Sequence, residues 1–332
     1  MSSLYERGFA LRRFHRFAPM LVMAFVTALP SASAQSWQVR VGAQSANQGH
    51  QALAFLPNEI WIHAGDTVQW TFDAAEIHTV TFMTPGQVRP PFQAGCPGVS
   101  ASGSPFDNSA CVTSAPSVTG QTFSVNFPVA GNFKVVCLVH ASMTGVVHVL
   151  NPSVPLPHDQ AFYDRQAKYE SGVLINDTQV QSELRNAGPR SVVAGVGEIT
   201  ATPGGQSTLS VMRFMDETKV VHVGDTVEWG NQDPTTPHTI TFGGGPDPAV
   251  PPAPSPNVVP DADGALHVWL SAPTDVAHSG FIVAASQEKT GSPLRPLTFT
   301  RFRATFTNAG VYNYKCILHD DMGMVGKVIV LP

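Results

Sequence analysis

The sequence predicts an all-β protein built from two tandem β-sandwich domains. Glycine and proline number 28 each among 332 residues, which favours short strands joined by turns over a helical bundle. Phe123, Val125 and Phe127 alternate with polar residues, which is the two-residue period of a half-buried strand. Three blocks of sequence occur twice in the same order, and this repetition indicates a duplicated domain.

The first 34 residues have the pattern of an export signal. Four arginines precede an apolar run over residues 17–29, and Ala32, Ser33 and Ala34 offer small side chains for cleavage before Gln35. The run is shorter than the roughly 20 residues that a membrane span needs, so we expect cleavage instead of anchoring. No later segment is apolar enough to cross a membrane. The sequence therefore predicts a periplasmic or secreted protein, in an oxidising compartment.

The repeat defines the two domains. Residues 55–70 align without a gap with residues 214–229 and share the pattern Gly-Asp-Thr-Val-x-Trp. Residues 77–82 then match 237–242, and 131–137 match 310–316. These blocks predict a first domain over 35–150 and a second domain over 192–332.

Residues 151–191 are predicted to be a partly helical linker. Three prolines follow the last strand of the first domain and prevent its continuation. Asp159 is suited to capping a helix that runs to Glu170, and Gly172 is suited to ending it.

Charge excludes one class of partner. Charged residues make up only 13% of the chain, the net charge is −5, and no basic cluster exists outside the N-terminus. Nucleic-acid binding therefore has little electrostatic support. An acidic surface is compatible with a basic protein partner.

Each half ends in a loop that carries cysteine, histidine and methionine, and a further histidine lies on an earlier strand. Thiolate and imidazole ligands suit copper that changes oxidation state, and two histidines, one cysteine and a distant methionine are typical of electron-transfer copper sites. Zinc is the alternative, but it prefers four strong ligands. The candidate ligands are His78, Cys137, His140 and Met143 in the first domain, and His238, Cys316, His319 and Met324 in the second.

Two methionines compete for the weak ligand position of the second domain. Aligning Met143-Thr144-Gly145 with Met324-Val325-Gly326 favours Met324. Met322 is then expected to be a packing residue beside the site.

Both halves resemble the cupredoxins, the blue copper proteins of the plastocyanin, pseudoazurin and amicyanin type. The spacing Cys137-x2-His140-x2-Met143 is similar to the short ligand loop of amicyanin, and Cys316-x2-His319-x4-Met324 is similar to that of plastocyanin. The resemblance covers residues 35–150 and 192–332. It implies two Greek-key β-sandwiches, each with one type 1 copper ion, and hence an electron carrier that exchanges electrons with redox partner proteins.

In such a carrier we expect the rings of His140 and His319 to lie nearest the solvent, where electrons enter or leave. Leu138, Val139 and Ile317, together with Leu318, are candidates for docking patches on the ligand loops.

The main alternative is a copper-dependent oxidoreductase related to the two-domain nitrite reductases or laccases. Those enzymes typically have a histidine next to the type 1 cysteine, whereas Val136 and Leu138 flank Cys137 here. No His-x-His pair occurs in the chain. The sequence thus favours a carrier over an enzyme, although a site between subunits that uses His63 or His222 stays open. A third alternative is a protein that binds or delivers copper.

Cys96 and Cys111 lie in a loop rich in glycine and serine that the second domain lacks. In an exported protein these two cysteines are expected to form a disulfide. A separate metal site is the alternative, but the loop contains no histidine.

Overall fold

The structure, a computed structural model, describes residues 33–89, 96, 98–177, 188–244, 253–284 and 298–332. The predicted export signal, residues 1–34, lies outside the described residues except for its last two positions. Its cleavage stays a prediction.

Short strands dominate both halves of the described chain, as the turn-rich composition predicts. The first half contains β1 (Ser36–Gln44), β2 (His50–Leu56), β3 (Glu59–His63), β4 (Thr67–Phe72), β5 (Thr81–Phe82), β6 (Ser104–Pro105), β7 (Val112–Thr113), β8 (Thr122–Asn126), β9 (Gly131–Val136) and β10 (Thr144–Leu150). The helix α1 (Gln160–Ile175) follows. The second half contains β11 (Ser191–Thr202), β12 (Gly205–Met215), β13 (Thr218–His222), β14 (Thr226–Gln232), β15 (Thr241–Phe242), β16 (Val259–Pro260), β17 (Leu266–Leu270), β18 (Ala277–His278), β19 (Phe281–Ile282), β20 (Thr298–Phe299), β21 (Arg301–Phe306), β22 (Gly310–Lys315) and β23 (Val325–Leu331).

The two halves share one large sheet. Eleven strands lie in the order β16-β17-β21-β14-β11-β12-β2-β1-β4-β8-β6, and the antiparallel pair β12 and β2 joins the halves. Each half adds a five-stranded sheet of its own, β3-β10-β9-β5-β7 in the first and β13-β23-β22-β15-β18 in the second. Apolar residues from both layers form one core per half. The prediction of an all-β protein with two sandwich domains is confirmed.

The alternation of buried and half-buried residues along a strand shows which of its faces packs on the core. In β4, Val68, Trp70 and Phe72 are buried, whereas the residues between them are half-buried. Trp229 is the counterpart of Trp70 in β14, and each of the two indoles is at most 1% exposed. A strand that packs one face on a core requires this two-residue period.

The repeated Gly-Asp turn has a local cause. The carboxylate of Asp66 accepts hydrogen bonds from the backbone N–H of His63 at 2.9 Å and from the indole N–H of Trp37 at 2.9 Å. In the second half, Asp225 accepts the equivalent bond from the backbone N–H of His222 at 2.9 Å. A short acidic side chain that closes a turn explains why this residue recurs in both repeats.

The helix α1 begins as predicted and ends later than predicted. Asp159 is its N-cap, and its side chain accepts a hydrogen bond from the backbone N–H of Phe162. The helix continues through Gly172 to Ile175, because Leu174 is buried against the first domain, and this packing outweighs the helix cost of one glycine, about 1 kcal/mol. Among the described residues, no helix has the length and apolar character that crossing a membrane requires.

Candidate metal centres

The structure brings His78, Cys137 and His140 together in the first domain. The Nδ1 atoms of the two histidines are 3.2 Å apart, and the Cys137 Sγ lies 3.7 Å from the Nδ1 of His140. All three ligand atoms lie within 4.8 Å of one another, and all three residues are buried. Two imidazole nitrogens and one sulfur thus form a small triangle.

The second domain repeats this triangle with His238, Cys316 and His319. The two Nδ1 atoms are 3.1 Å apart, and the Cys316 Sγ lies 3.9 Å and 3.4 Å from the Nδ1 atoms of His238 and His319. The three residues are likewise buried.

Equivalent elements position the ligands of each triangle. Cys137 directly follows β9, and His140 lies in the short loop before β10. His78 precedes β5, and its backbone forms two hydrogen bonds with that of Ser117. In the second domain, His238 is held in the same way by the backbone of Ile282. Each site therefore takes its ligands from two regions of sequence that the sheet brings together.

Backbone hydrogen bonds reach both sulfur atoms. The N–H of Thr79 donates to the Cys137 Sγ at 3.4 Å, and the N–H of Thr239 donates to the Cys316 Sγ at the same distance. The hydroxyl of Thr79 in turn accepts a hydrogen bond from the backbone N–H of Leu138. Such bonds orient a thiolate and tune the potential of a metal bound to it.

The methionines lie at equivalent backbone positions. The N–H of Cys137 donates to the carbonyl of Met143 at 3.0 Å, and the N–H of Cys316 donates to the carbonyl of Met324 at 3.1 Å. Both methionine side chains are fully buried in the same core as the cysteine of their domain. Met322, which is 5% exposed, has no equivalent hydrogen bond to the cysteine among the described contacts. The role of Met143 and Met324 as weak ligands stays a prediction.

Two glycines allow the upstream histidines to approach the shared sheet closely. Gly42 and Gly195 lie where β1 and β11 shift register, and both have positive φ, 72° and 76°. A Cβ on Gly42 would meet the Nε2 of His78 at 2.8 Å, and a Cβ on Gly195 would collide with the ring of His238. Only glycine combines this backbone conformation with this close approach. The sequence analysis did not single out these residues.

The loop histidines are not at the surface, contrary to the sequence-based expectation. His140 is fully buried and His319 is 2% exposed. The Nε2 of His140 lies 3.2 Å from Oε1 of Glu76, and the Nε2 of His319 lies 3.2 Å from Oε2 of the same carboxylate. Both loop histidines are therefore buried against one carboxylate of the first domain.

Glu76 is a site residue that the sequence analysis missed. It is 4% exposed, and burial alone would raise the pKa of its carboxyl. The positive charge of His319 and the hydrogen bonds to both histidines instead bring this pKa well below its usual range. The available signal was a carboxylate two residues before His78, in a loop whose counterpart has Thr236.

Contacts within the two sites also shift the pKa values of both thiols and of His140. Burial raises the pKa of the Cys137 thiol, but the hydrogen bond with His140 and further contacts outweigh burial and bring that pKa well below its usual range. The Cys316 thiol has a pKa lowered in the same way, mainly by the charge of His319. Burial disfavours a charged His140, yet hydrogen bonds to Cys137 and Glu76 raise its pKa to about 9. Both thiols are therefore poised as thiolates, the form that binds metals.

The donor set fits copper. Three donors that lie in one plane at about 2 Å from one ion are about 3.5 Å apart, and the measured separations, 3.2 and 3.7 Å in the first triangle and 3.1, 3.4 and 3.9 Å in the second, are close to this value. Two imidazoles and one thiolate, buried in an apolar core, match the trigonal sites of copper proteins better than the four strong ligands of zinc.

Cys96 and Cys111 form the predicted disulfide, with their Cα atoms 5.5 Å apart. Cys111 precedes β7, which pairs with β5 next to His78. His63 is not part of either triangle, and its Nε2 hydrogen-bonds to the carbonyl of Val154.

Comparison with known proteins identifies the family. The model of the copper binding proteins of the plastocyanin/azurin family matches residues 42–150 and 203–331. The chain belongs to this family, with one copy of the family domain in each half. The identification of two cupredoxin domains from their ligand spacing is confirmed.

Individual relatives match shorter stretches. The chloroplastic plastocyanin of Tetradesmus obliquus is 32% identical over 142 residues, which cover 42% of this chain and 83% of that protein. The plastocyanin of Nostoc punctiforme is 35% identical over 63 residues, which cover 19% of this chain and only 42% of that protein. Among solved structures, amicyanin of Paracoccus versutus is 22% identical over 36% of this chain and 84% of its own, with a TM-score of 0.24.

Proposed function

We propose that this chain is an exported blue copper protein that carries electrons through two type 1 copper sites. The observation that carries the proposal is the double occurrence of one buried triangle, with two Nδ1 atoms and one sulfur in each domain. Membership in the copper binding family supports the choice of metal. His78, Cys137, His140 and Met143 would hold one ion, and His238, Cys316, His319 and Met324 would hold the other.

A bound copper ion would supply one-electron chemistry by alternating between its cuprous and cupric states. The chain supplies a ligand set that needs little movement. Thr79 fixes the position of the Cys137 sulfur with its N–H and the start of the ligand loop with its hydroxyl. Thr239 does the same for Cys316 and Ile317. Ligands held by the sheet in one arrangement reduce the reorganisation that accompanies each electron transfer.

Export and partners belong to the same proposal. The arginines and the apolar run of residues 1–34 support export to the periplasm or the outside of the cell. The disulfide between Cys96 and Cys111 is compatible with such an oxidising compartment. A one-electron carrier requires redox partner proteins that donate and accept the electron, and the net negative charge favours a basic one.

Spectroscopy of the copper-loaded chain tests the proposal. We expect two copper ions per chain, intense visible absorption from thiolate-to-copper charge transfer, and two blue signals in electron paramagnetic resonance. Cys137→Ser and Cys316→Ser are each expected to remove about half of this absorption, because each removes one of two equivalent thiolates.

The disulfide offers a matched control. The double variant Cys96→Ala, Cys111→Ala also removes sulfur atoms from the chain, and it should keep both blue signals. A wild-type protein that stays colourless with cupric salt would overturn the proposal. A third copper ion of the non-blue kind, with turnover of nitrite or phenols, would replace the carrier with an enzyme.

A further inference from the structure

One buried carboxylate joins the two metal sites. Each oxygen of Glu76 faces a different ring, Oε1 the Nε2 of His140 and Oε2 the Nε2 of His319, both at 3.2 Å. The two rings belong to different domains, so Glu76 connects two sites that lie in separate copies of the sequence repeat.

The chemistry of imidazole sets the direction of these hydrogen bonds. Both rings direct Nδ1 into their ligand triangles, at 3.7 Å from the Cys137 sulfur in one site and 3.4 Å from the Cys316 sulfur in the other. A neutral imidazole that offers Nδ1 to a metal carries its proton on Nε2. Both Nε2–H groups therefore donate to Glu76, and each oxygen of the carboxylate accepts one bond.

Burial makes this arrangement necessary for Glu76. A carboxylate that is only 4% exposed is costly without partners. Within the described residues, no lysine or arginine forms an ion pair with Glu76, and its carboxylate contacts the rings of His140 and His319. The carboxylate thus depends on both rings, and both rings depend on it for orientation.

The connection is not a product of the internal repeat. Thr236 occupies the position of Glu76 in the second domain, and its hydroxyl lies 3.3 Å from that of Ser210. Among the residues that the structure describes, the Nε2 atoms of His78 and His238 are buried and have no hydrogen-bond partner, so neither upstream histidine has a carboxylate of this kind. One acidic residue of the first domain therefore serves the loop histidine of both domains.

We propose that Glu76 is a shared positioning residue, which fixes both loop histidines and couples the two metal sites into one redox unit. The proposal rests on the proposed copper function. With copper bound at both sites, one electron would pass from a reduced ion at one site to an oxidised ion at the other, so that one ion is oxidised as the other is reduced. No covalent bond forms or breaks, and both Nε2 protons stay on their rings. The negative charge of Glu76 stabilises the oxidised state of both ions and so lowers both potentials.

The variant Glu76→Gln tests the coupling. Glutamine keeps the size of the side chain, but its amide oxygen can accept from one ring only, and its amide nitrogen faces the donor of the other. We expect the reduction potentials of both sites to rise, and electron transfer between the sites after a radiolytic pulse to slow by tenfold or more. Cys316→Ser and Cys137→Ser backgrounds isolate the potential of each site.

Asp73→Asn is the matched control. It removes a carboxylate from the same loop, three residues earlier, where the side chain is partly exposed and bonded to Arg40. Both potentials should stay close to the wild-type values. A change in Glu76→Gln that is confined to one site, or absent from both, would overturn the proposal.

A measurement on the unmutated chain keeps the test independent of variant folding. Nuclear magnetic resonance of the full chain loaded with cuprous ion or with zinc should show two slowly exchanging imidazole Nε2–H protons, assigned to His140 and His319. Two such protons without blue absorption in the cupric protein would reject the proposed function and keep the bridge. Blue absorption with at most one such proton would keep the function and reject the bridge.

Discussion

At the scale of single residues, a few atoms define each site, and most of them occur twice. The thiolates of Cys137 and Cys316 have pKa values well below the usual range, because histidine contacts outweigh burial. Thr79 and Thr239 donate to these sulfurs at the same distance. Identical donors in identical places explain why both domains are suited to the same metal.

The methionine loop of the second domain offers a prediction at this scale. Met324→Leu should shift the visible spectrum and raise the potential of the second site, because the backbone of Met324 occupies the position of Met143 beside the cysteine. Met322→Leu keeps a buried apolar side chain and should leave the visible spectrum and the potential of the second site unchanged. Spectra and redox titrations in a Cys137→Ser background provide the measurement, and the reverse order of effects would reassign the ligand.

The raised pKa of His140 predicts that metal binding at the first site depends on pH. Its pKa is raised to about 9, so at pH 7 the ring holds a proton that a metal ion must displace. The apparent affinity of the apoprotein for zinc should rise with pH by about tenfold per unit and level off above pH 9. Competition titrations in a Cys316→Ser background measure this at the first site alone, and a flat profile from pH 7 to 9 would contradict it.

At the scale of elements, small irregularities of regular strands create the sites. β1 and β11 shift register at Gly42 and Gly195, and the upstream histidines pack against these two positions. β5 and β15 are only two residues long, yet they place His78 and His238 next to the strands that end at the cysteines. The sandwich thus supplies rigidity, and its bulges supply the space for the rings.

The disulfide gives a prediction at the scale of elements. It links Cys96 to Cys111, 15 residues apart, and a closed loop of this length stabilises a fold by about 3 kcal/mol. The double variant Cys96→Ala, Cys111→Ala should lose a stability of this order in denaturant unfolding. The thiolates lie elsewhere in the fold, so the blue absorption of the folded protein should not change. An unchanged unfolding midpoint would show that β7 is held without the disulfide.

At the scale of the whole molecule, pairing of β2 with β12 decides how the domains cooperate. This pairing matches Leu53 with Thr208 and His50 with Val211, and it merges the larger sheets of both domains. Side-chain contacts across the joint include a 2.8 Å hydrogen bond from Asn58 to Thr202. The loops that carry His140 and His319 consequently meet at Glu76.

The hydrogen bonds of Arg213 across this joint predict that its side chain stabilises the folded chain. Its guanidinium donates at 2.7 Å to the carbonyl of Met322 in the second ligand loop and at 2.7 Å to the carbonyl of Asn47 in the first domain. Arg213→Met should destabilise the chain by about 1–3 kcal/mol, because hydrogen bonds from a charged donor are lost. Arg165→Met, at an exposed helix position, should change the free energy of unfolding by less than about 0.5 kcal/mol when both variants are measured by denaturant unfolding. Equal effects of the two substitutions would contradict this role of Arg213.

Two of the three ligands in each triangle were predictable because they lie close together in the sequence. Cys137 and His140 are three residues apart, and the repeat identified the upstream His78 by its counterpart His238. The helix start at Asp159 was predictable for the same reason, since a cap depends on its immediate neighbours. Its end was predicted too early, because burial of Leu174 against another element decided it.

The sequence by itself determined the all-β class, the duplication and both sets of histidine and cysteine ligands, since strand period and loop spacing are local properties of the chain. Only the tertiary structure decided that the loop histidines are buried and face one another through Glu76. That outcome depends on a strand pairing between residues 50–53 and 208–211, which neither repeat encodes in its own pattern. Strands pair through backbone N–H and C=O groups that nearly every residue has. A side-chain pattern can therefore identify a strand, but the packing of the whole chain decides which strand it pairs with.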